Sequence, residues 1–193
     1  MFQVRIHGRG GQGVVTAAET LSVAAFLDGR HAQAFPSFGS ERMGAPVVAF
    51  CRIDDRPIRS HDPIAEPDAL IILDPTLVHQ VNLFSGLQPD GYIVVNTERT
   101  FEDLGIGGVA ARMRRERLLT LPATEVAQRV IGRPVPNTVL LGALAELTGI
   151  VPLGAVVAAV HRRFPGALGD ANEAAATEAA GYARAAREAL TDA

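Results

Sequence analysis

The sequence predicts a single α/β domain: a mostly parallel sheet with an added hairpin-like strand and a helical C-terminus. Three observations lead there. A strand, a glycine-rich turn and a helix follow one another over Phe2–Leu27. Two short apolar runs, Ala69–Leu73 and Gly91–Asn96, suit strands buried on both faces. Nearly everything after Leu121 reads as helix. With 193 residues, 48% of them hydrophobic, the chain can bury one substantial core, so one domain over residues 1–193 is expected.

The elements follow in order. Phe2–His7 alternates apolar and polar residues, as a half-buried strand does. Gly8-Arg-Gly-Gly-Gln-Gly13 and the alanine-rich Val14–Leu27 complete the opening of a βαβ unit, which makes the fold Rossmann-like. His31–Phe35 is a second strand candidate, broken early by Pro36-Ser-Phe-Gly39. Pro46–Ile53 has strand composition, and Asp54-Asp-Arg-Pro57 supplies a turn into Ile58, so an antiparallel hairpin is expected there. Ala69–Leu73 is the central strand. Asp74-Pro75 then starts a helix reaching about Val81, with proline at a tolerated first-turn position. After Gly91–Asn96 a polar stretch, Thr97–Arg117, leads to a last strand candidate at Leu118–Leu121. Asn137 is a suitable N-cap for Thr138–Leu147, Gly149 ends that helix, and Pro152 opens the next, which runs to Phe164. Ala171–Leu190 is an alanine helix capped by Asp170, with Glu173 and Glu178 early and Arg184 and Arg187 late, the order its dipole favours. Its small side chains permit close approach to another helix, and packing within the chain is the expectation.

Composition excludes several classes of function. Eighteen basic residues against 21 acidic ones leave a net charge of −3, which argues against bulk nucleic-acid or anionic-membrane binding. Met1–His7 has neither the apolar core nor the small-residue cleavage site of a secretory signal, and it is no membrane span. A cytoplasmic location is the default. The single cysteine, Cys51, forms no internal disulfide, and an iron–sulfur cluster takes about four thiolates. His7, His31, His61, His79 and His161 lack metal-ligand spacing. Any electron carriers are therefore expected on other chains.

Gly8, Gly10 and Gly13 match G-x-G-x-x-G between a strand and a helix. Glycines let the backbone approach a ligand, and the helix N-terminus offers free N–H groups to a phosphate. The dinucleotide version also needs an acidic residue at the end of the second strand; Ala34-Phe-Pro-Ser37 has none, so NAD is disfavoured. A tight turn that packs helix on strand, without a ligand, is the other reading. Arg9 and Gln12 are suited to contacting a phosphate or a neighbouring chain. His7 is expected to be a hydrogen-bonded structural histidine, because no base-and-nucleophile set accompanies it. The irregular stretch Ala34–Val47 combines aromatics, prolines, glycines and serines with Glu41-Arg42, a composition typical of a binding loop. The bland alternative is a packed connection with an ordinary Glu41–Arg42 ion pair.

Gly8-Arg-Gly-Gly-Gln-Gly-Val-Val-Thr-Ala-Ala18, followed by Ala32-Gln-Ala-Phe-Pro-Ser-Phe-Gly-Ser-Glu-Arg-Met-Gly-Ala-Pro-Val47, resembles the gamma subunit of pyruvate and other 2-oxoacid:ferredoxin oxidoreductases. Arg52–Arg59, Asp74-Pro75 and Asn137-Thr138 sit where that family has comparable features, and the resemblance weakens after about Thr97. Met43 departs from it, since many relatives carry a basic residue there. The resemblance implies a subunit without a redox centre or catalytic residue of its own. It implies alpha- and beta-type partner chains holding thiamine diphosphate and Mg2+, and [4Fe-4S] clusters on cysteine-rich chains such as a ferredoxin-like subunit. It also implies ferredoxin or another acceptor for the electrons, and coenzyme A handled partly by this chain. The candidate cofactor-binding residues are Gly8, Arg9, Gly10, Gly11, Gln12 and Gly13, with Ser37, Phe38, Ser40, Glu41 and Arg42; Arg42 is favoured for bidentate phosphate recognition. The competing readings are an interface-only subunit, as in an indolepyruvate or arylglyoxylate oxidoreductase, and a free-standing nucleotide-binding module.

Overall fold

A computed structural model describes residues 1–37 and 43–191. Six strands form one sheet: β1 (Phe2–Arg9), β2 (His31–Pro36), β3 (Pro46–Asp54), β4 (Ala69–Ile72), β5 (Tyr92–Asn96) and β6 (Leu118–Leu121), in the order β2-β3-β1-β4-β5-β6. β1, β4, β5 and β6 run parallel, while β3 is antiparallel to both β1 and β2. Helix α1 (Val14–Leu27) carries the chain from β1 to the outer position, and β3 returns to fill the gap between them. The hairpin therefore joins β2 to β3. The expected partner for Pro46–Ile53 beyond the Asp54–Pro57 turn is absent, and Ile58 lies in no strand.

Period-two alternation divides the core. Ile6, Cys51, Ile71 and Val94 face a helical layer made of α1, α3 (Ala123–Val130), α4 (Asn137–Thr148), α5 (Leu153–Arg163) and α6 (Ala167–Thr191). Ile72, Ile93 and Val95 face the other way, onto Leu77, Leu83, Phe101, Leu104 and Ile106. The last three come from the stretch read as polar, whose helical structure is a short turn, α2 (Gly107–Ala110), and a 3-10 turn, Arg115–Arg117. Regularly spaced Phe101 and Leu104 anchor it.

On that second face the half of the sheet formed by β2, β3 and β1 sets polar side chains beside the packed Phe35 and Phe50 rings, and among the described residues no helix covers it. Arg5 and Arg52 are buried there. Arg5 donates to the carbonyls of Ile64 and Ala65 at 3.4 Å, Leu83 at 2.5 Å and Ser85 at 2.8 Å. Arg52 donates to Gln3 Oε1 at 3.2 Å and to the Asp62 carbonyl at 2.5 Å, and it stacks on Phe35. The guanidinium groups thus tie irregular connections to the strands by satisfying their carbonyls. His7 lies on the same face. Contrary to expectation its buried Nε2 has no hydrogen-bond partner among the described residues, and burial together with the Arg5 charge lowers its pKa to about 4.

Three local expectations are corrected. The segment after Asp74 is a single 3-10 turn, Pro75–His79, not a helix to Val81; Asp74 caps it by accepting from Thr76 N at 2.9 Å. Asn137 is the first residue of α4 rather than its cap, which is Pro136. The alanine helix begins at Ala167, which places Asp170 within its first turn.

The alanine face of α6 does pack within the chain. Ala175, Ala176, Ala179, Ala180 and Ala183 are buried, and a β-carbon placed on Gly142 of α4 would stand 2.1 Å from the Ala176 carbonyl oxygen. Arg184 of α6 pairs with Glu146 of α4 at 2.8 Å. Among the described residues no helix is long and apolar enough to cross a membrane.

Gly142→Ala forces these helices apart and is expected to destabilise the fold by about 1–3 kcal/mol. That corresponds to a melting temperature lower by roughly 2–4 °C per kcal/mol; an unchanged melt refutes the close crossing. His7 makes a second, pH-dependent signature. Between its ordinary 6.5 and its folded value of about 4, the unfolded chain binds a proton here that the native chain does not. Stability from this site is complete above pH 6.5 and is lost as pH falls toward 4. His7→Phe should flatten the fall in melting temperature across that window; parallel curves for both proteins contradict it.

Candidate functional site

The glycine turn stands at the carboxyl ends of the parallel strands, where open α/β sheets place their ligand crevices. β1 extends through Gly8 and Arg9, so the turn proper is Gly10–Gly13. Gly11 and Gly13 have φ of +95° and +80°, a region that β-carbons disfavour. Gly8 is needed for space: a β-carbon there would lie 2.7 Å from Val14 Cγ2. Gly13 caps α1 with no side-chain bond, and Ala17 N donates to its carbonyl at 2.9 Å. The first-turn amides of α1 therefore remain available to an acceptor.

The turn is held from two sides. Gly10 N donates to the Ala45 carbonyl at 3.0 Å, and Gly44 N donates to the Gly10 carbonyl at 3.2 Å. The end of the second loop is thus joined to the first. On the other side Asp74, at the end of β4, acts as a hub. Its Oδ2 accepts from Arg9 Nε at 3.0 Å and Gln12 Nε2 at 3.1 Å. Its Oδ1 accepts from the Thr76 hydroxyl at 2.5 Å. Arg9 also donates to the Gly44 carbonyl, Thr76 Oγ1 and Gln80 Oε1 at 3.0, 2.8 and 2.9 Å. Gln12 Oε1 accepts from Arg9 N at 2.7 Å. Arg9 and Gln12, read in the sequence as contacts to a phosphate or a neighbouring chain, make their hydrogen bonds inside the fold. Burial raises the Asp74 pKa, but hydrogen bonds from Thr76 and Gln12 and the Arg9 charge outweigh it and hold the carboxyl below its usual range.

Ser37 is exposed at the end of β2, and its N–H donates to the Val48 carbonyl at 2.9 Å. It belongs to the β2–β3 ladder. Phe38, Ser40, Glu41 and Arg42, and with them the expected Glu41–Arg42 pair, lie outside the described residues. Met43 is 86% exposed and flanks Gly11.

Two clefts flank the turn, and their charges differ. One, of about 400 Å³, is lined by Gln12, Asp74, Asn96, Glu98, Arg99 and Glu125. Its three carboxylates oppose an anion, and Arg99 is bonded to the Asp103 carbonyl. The other, of about 240 Å³, brings Arg133 and Arg163 together with Gly13, Thr16, Asn137 and Phe164. Asn137 is 5% exposed, with Nδ2 3.5 Å from the Gly13 carbonyl oxygen. This side combines cations, amides and an apolar wall, which suits a phosphorylated ligand with a ring or acyl portion. Sequence reasoning missed Arg133 and Arg163 because they come from distant segments; only the fold unites them. Cys51 is fully buried, and burial pushes its thiol up to about 12, so it offers no thiolate to a cluster.

Replacing Asp74 with alanine should lower stability by about 1–3 kcal/mol, since it strands Arg9 and Gln12 donors. Because the folded carboxyl is depressed, its contribution is complete above the ordinary carboxylate range and disappears as pH falls through the folded value. A urea midpoint unchanged by Asp74→Ala at neutral pH would remove the hub.

Comparison with known proteins places this geometry. The sequence matches the family described as pyruvate ferredoxin/flavodoxin oxidoreductase over residues 3–182. It is 46% identical over 181 residues to the pyruvate/ketoisovalerate oxidoreductases common subunit gamma of Pyrococcus abyssi (strain GE5 / Orsay), covering 93% of this chain and 95% of that one. Among solved structures, pyruvate oxidoreductase subunit PORC of Thermotoga maritima superposes with a TM-score of 0.78 at 35% identity, covering 93% of this chain and 95% of that one. The 2-oxoglutarate:ferredoxin oxidoreductase of Magnetococcus marinus, solved with 2-oxoglutarate, coenzyme A and succinyl-CoA bound, aligns with all of this chain over 32% of its own length. Its TM-score is 0.67 at 18% identity, a likeness of fold. With a family match running from the first strand into the last helix, the chain belongs to the pyruvate ferredoxin/flavodoxin oxidoreductase family.

Proposed function

We propose that this chain is the gamma-type subunit of a multisubunit, thiamine-diphosphate-dependent 2-oxoacid:ferredoxin oxidoreductase, and that it helps bind coenzyme A and close the active site. In this reading the complex oxidatively decarboxylates a 2-oxoacid to an acyl-CoA in the cytoplasm and passes the electrons to ferredoxin or another acceptor. Residues 1–193 form one gamma-type domain. Alpha- and beta-type chains and a ferredoxin-like subunit hold thiamine diphosphate, Mg2+ and [4Fe-4S] clusters. The carrying observation is the similarity, over nearly the whole of both chains, to a subunit named gamma in pyruvate/ketoisovalerate oxidoreductases.

Coenzyme A supplies the thiol that takes the acyl group and, at its far end, phosphates that call for cations and N–H donors. The α1 amides beside Gly13, together with Arg133 and Arg163, are of that type, whereas the opposite cleft is lined by Asp74, Glu98 and Glu125. Gly8, Gly10, Gly11 and Gly13 let the backbone approach. Arg9 and Gln12 act by bracing the turn, and Ser37, Phe38, Ser40, Glu41 and Arg42 are the further residues assigned to contact the ligand or the partner chains. A second reading, in which the turn serves only as scaffold and interface, is favoured by the internal commitment of Arg9 and Gln12.

Steady-state kinetics of the purified complex, assembled with wild-type, Arg133→Ala or Arg42→Ala subunits, decides between them. Loss of one phosphate contact should raise the coenzyme A KM roughly tenfold, leaving the 2-oxoacid KM and the subunit's melting temperature unchanged. Impaired assembly with an unaltered coenzyme A KM establishes the interface reading instead. A wild-type chain recovered alone, with no thiamine-diphosphate-containing partner, defeats both.

A further inference from the structure

The sheet ends at β2, whose outer side pairs with no other strand among the described residues. Its ladder with β3 is antiparallel and sets Ala32 opposite Ile53, Ala34 opposite Cys51 and Pro36 opposite Ala49. The bond from Ser37 N to the Val48 carbonyl fixes the parity of this ladder. Bonded and non-bonded pairs alternate in antiparallel strands, so the N–H and C=O groups of Ala32 and Ala34 point away from β3. An edge of this kind is a template for another strand.

A groove of about 660 Å³ runs beside it, lined by Glu19, Ser22 and Val23 of α1, Ala32–Ala34, and Arg162 and Arg163 of α5. Val23 is 36% exposed and Phe26 is 67% exposed. Helical spacing puts Phe26 on the stripe of Glu19, Ser22 and Val23, so the stripe extends the groove with apolar surface. Arg162 and Arg163 are exposed, and neither has a hydrogen bond or ion pair among the described residues.

We propose that this edge receives an extended segment of a partner subunit of the oxidoreductase complex. The segment adds to β2, sets an apolar side chain against Val23 and Phe26, and sets an acidic one against Arg162. The inference rests on the subunit reading above. Main-chain pairing supplies affinity, and alternate side chains supply specificity. Charge selects a different chain over a second copy of this one. The groove carries two arginines against one carboxylate, Glu19, so a self-paired edge brings like charges together.

Hydrogen exchange of peptides spanning residues 31–36, measured in the isolated chain and in the intact complex, tests the proposal. Exchange at the edge should slow at least roughly tenfold on assembly. Two variants accompany it. Ala34→Pro deletes an outward N–H that the isolated fold does not use, and Arg162→Glu reverses one charge; each should reduce subunit incorporation roughly tenfold. Arg162→Lys should restore it. Should Ala34→Pro fail to fold, exchange and the Arg162 pair decide the matter. Unchanged exchange in an intact complex, or full incorporation of Arg162→Glu, overturns strand addition and leaves the subunit reading standing. An isolated chain that dimerises with residues 31–36 protected assigns the edge to a second copy and overturns it too. Failure of the wild-type chain to enter any complex removes the subunit reading, and this inference with it.

Discussion

The carboxylate of Asp74 is the interaction on which the geometry of the site depends. It leaves the sheet at the end of β4, next to the end of β1, and one of its oxygens accepts from both Arg9, the last residue of β1, and Gln12 of the glycine turn. A turn rich in glycine has the largest backbone entropy to lose, so it does not hold a shape by itself. Here one anion gathers the side chains of Arg9, just before the turn, and Gln12, within it, while Gly10 is bonded to the 44–45 backbone. The turn is thus ordered by the fold's own contacts, and order of that kind lowers the cost of any binding there.

The sheet achieves the same economy on a larger scale. One face is buried conventionally beneath helices, with α4 and α6 brought together at Gly142 and Ala176. Among the described residues the other face has no helix over β1 and β3, and Arg5 and Arg52 substitute for that layer. Arg5 spreads its guanidinium over carbonyls of connecting segments and Arg52 reaches the Asp62 carbonyl and Gln3 Oε1, an arrangement suited to arginine because its donors diverge in a fixed plane. The price is a half-polar interior in which His7 must stay neutral.

How much of this was legible depended on the range over which each signal acts. Strand identity lies in local composition, so β1, β3, β4, β5 and β6 were read within a residue or two of their observed ends. Antiparallel insertion of β3 between β2 and β1 is a matter of pairing, and the turn residues Asp54–Pro57 pointed instead to a hairpin with Ile58. Asn137 looked like a cap because asparagine caps helices; in the fold it is buried against Gly13, a contact spanning most of the chain. Arg9 and Gln12 looked like ligand contacts because nothing near them in sequence revealed Asp74 as their acceptor. The recurring gap concerns polar side chains: their types suggest a role, but only the tertiary partner decides whether that role faces inward or outward.

That distinction reshapes the meaning of the glycine motif. If Arg9 and Gln12 had been free, charge would have gathered around the middle of the turn. With both committed to Asp74, the remaining asymmetry lies between two clefts. Asp74, Glu98 and Glu125 repel an anion on one side, whereas Arg133, Arg163 and the α1 amides attract it on the other. The carboxylate that fixes the turn thus also lines the cleft whose charge disfavours a phosphate. Structural support and electrostatic selection are two consequences of the same residue, which is why the site is best understood from Asp74 outward rather than from its glycines alone.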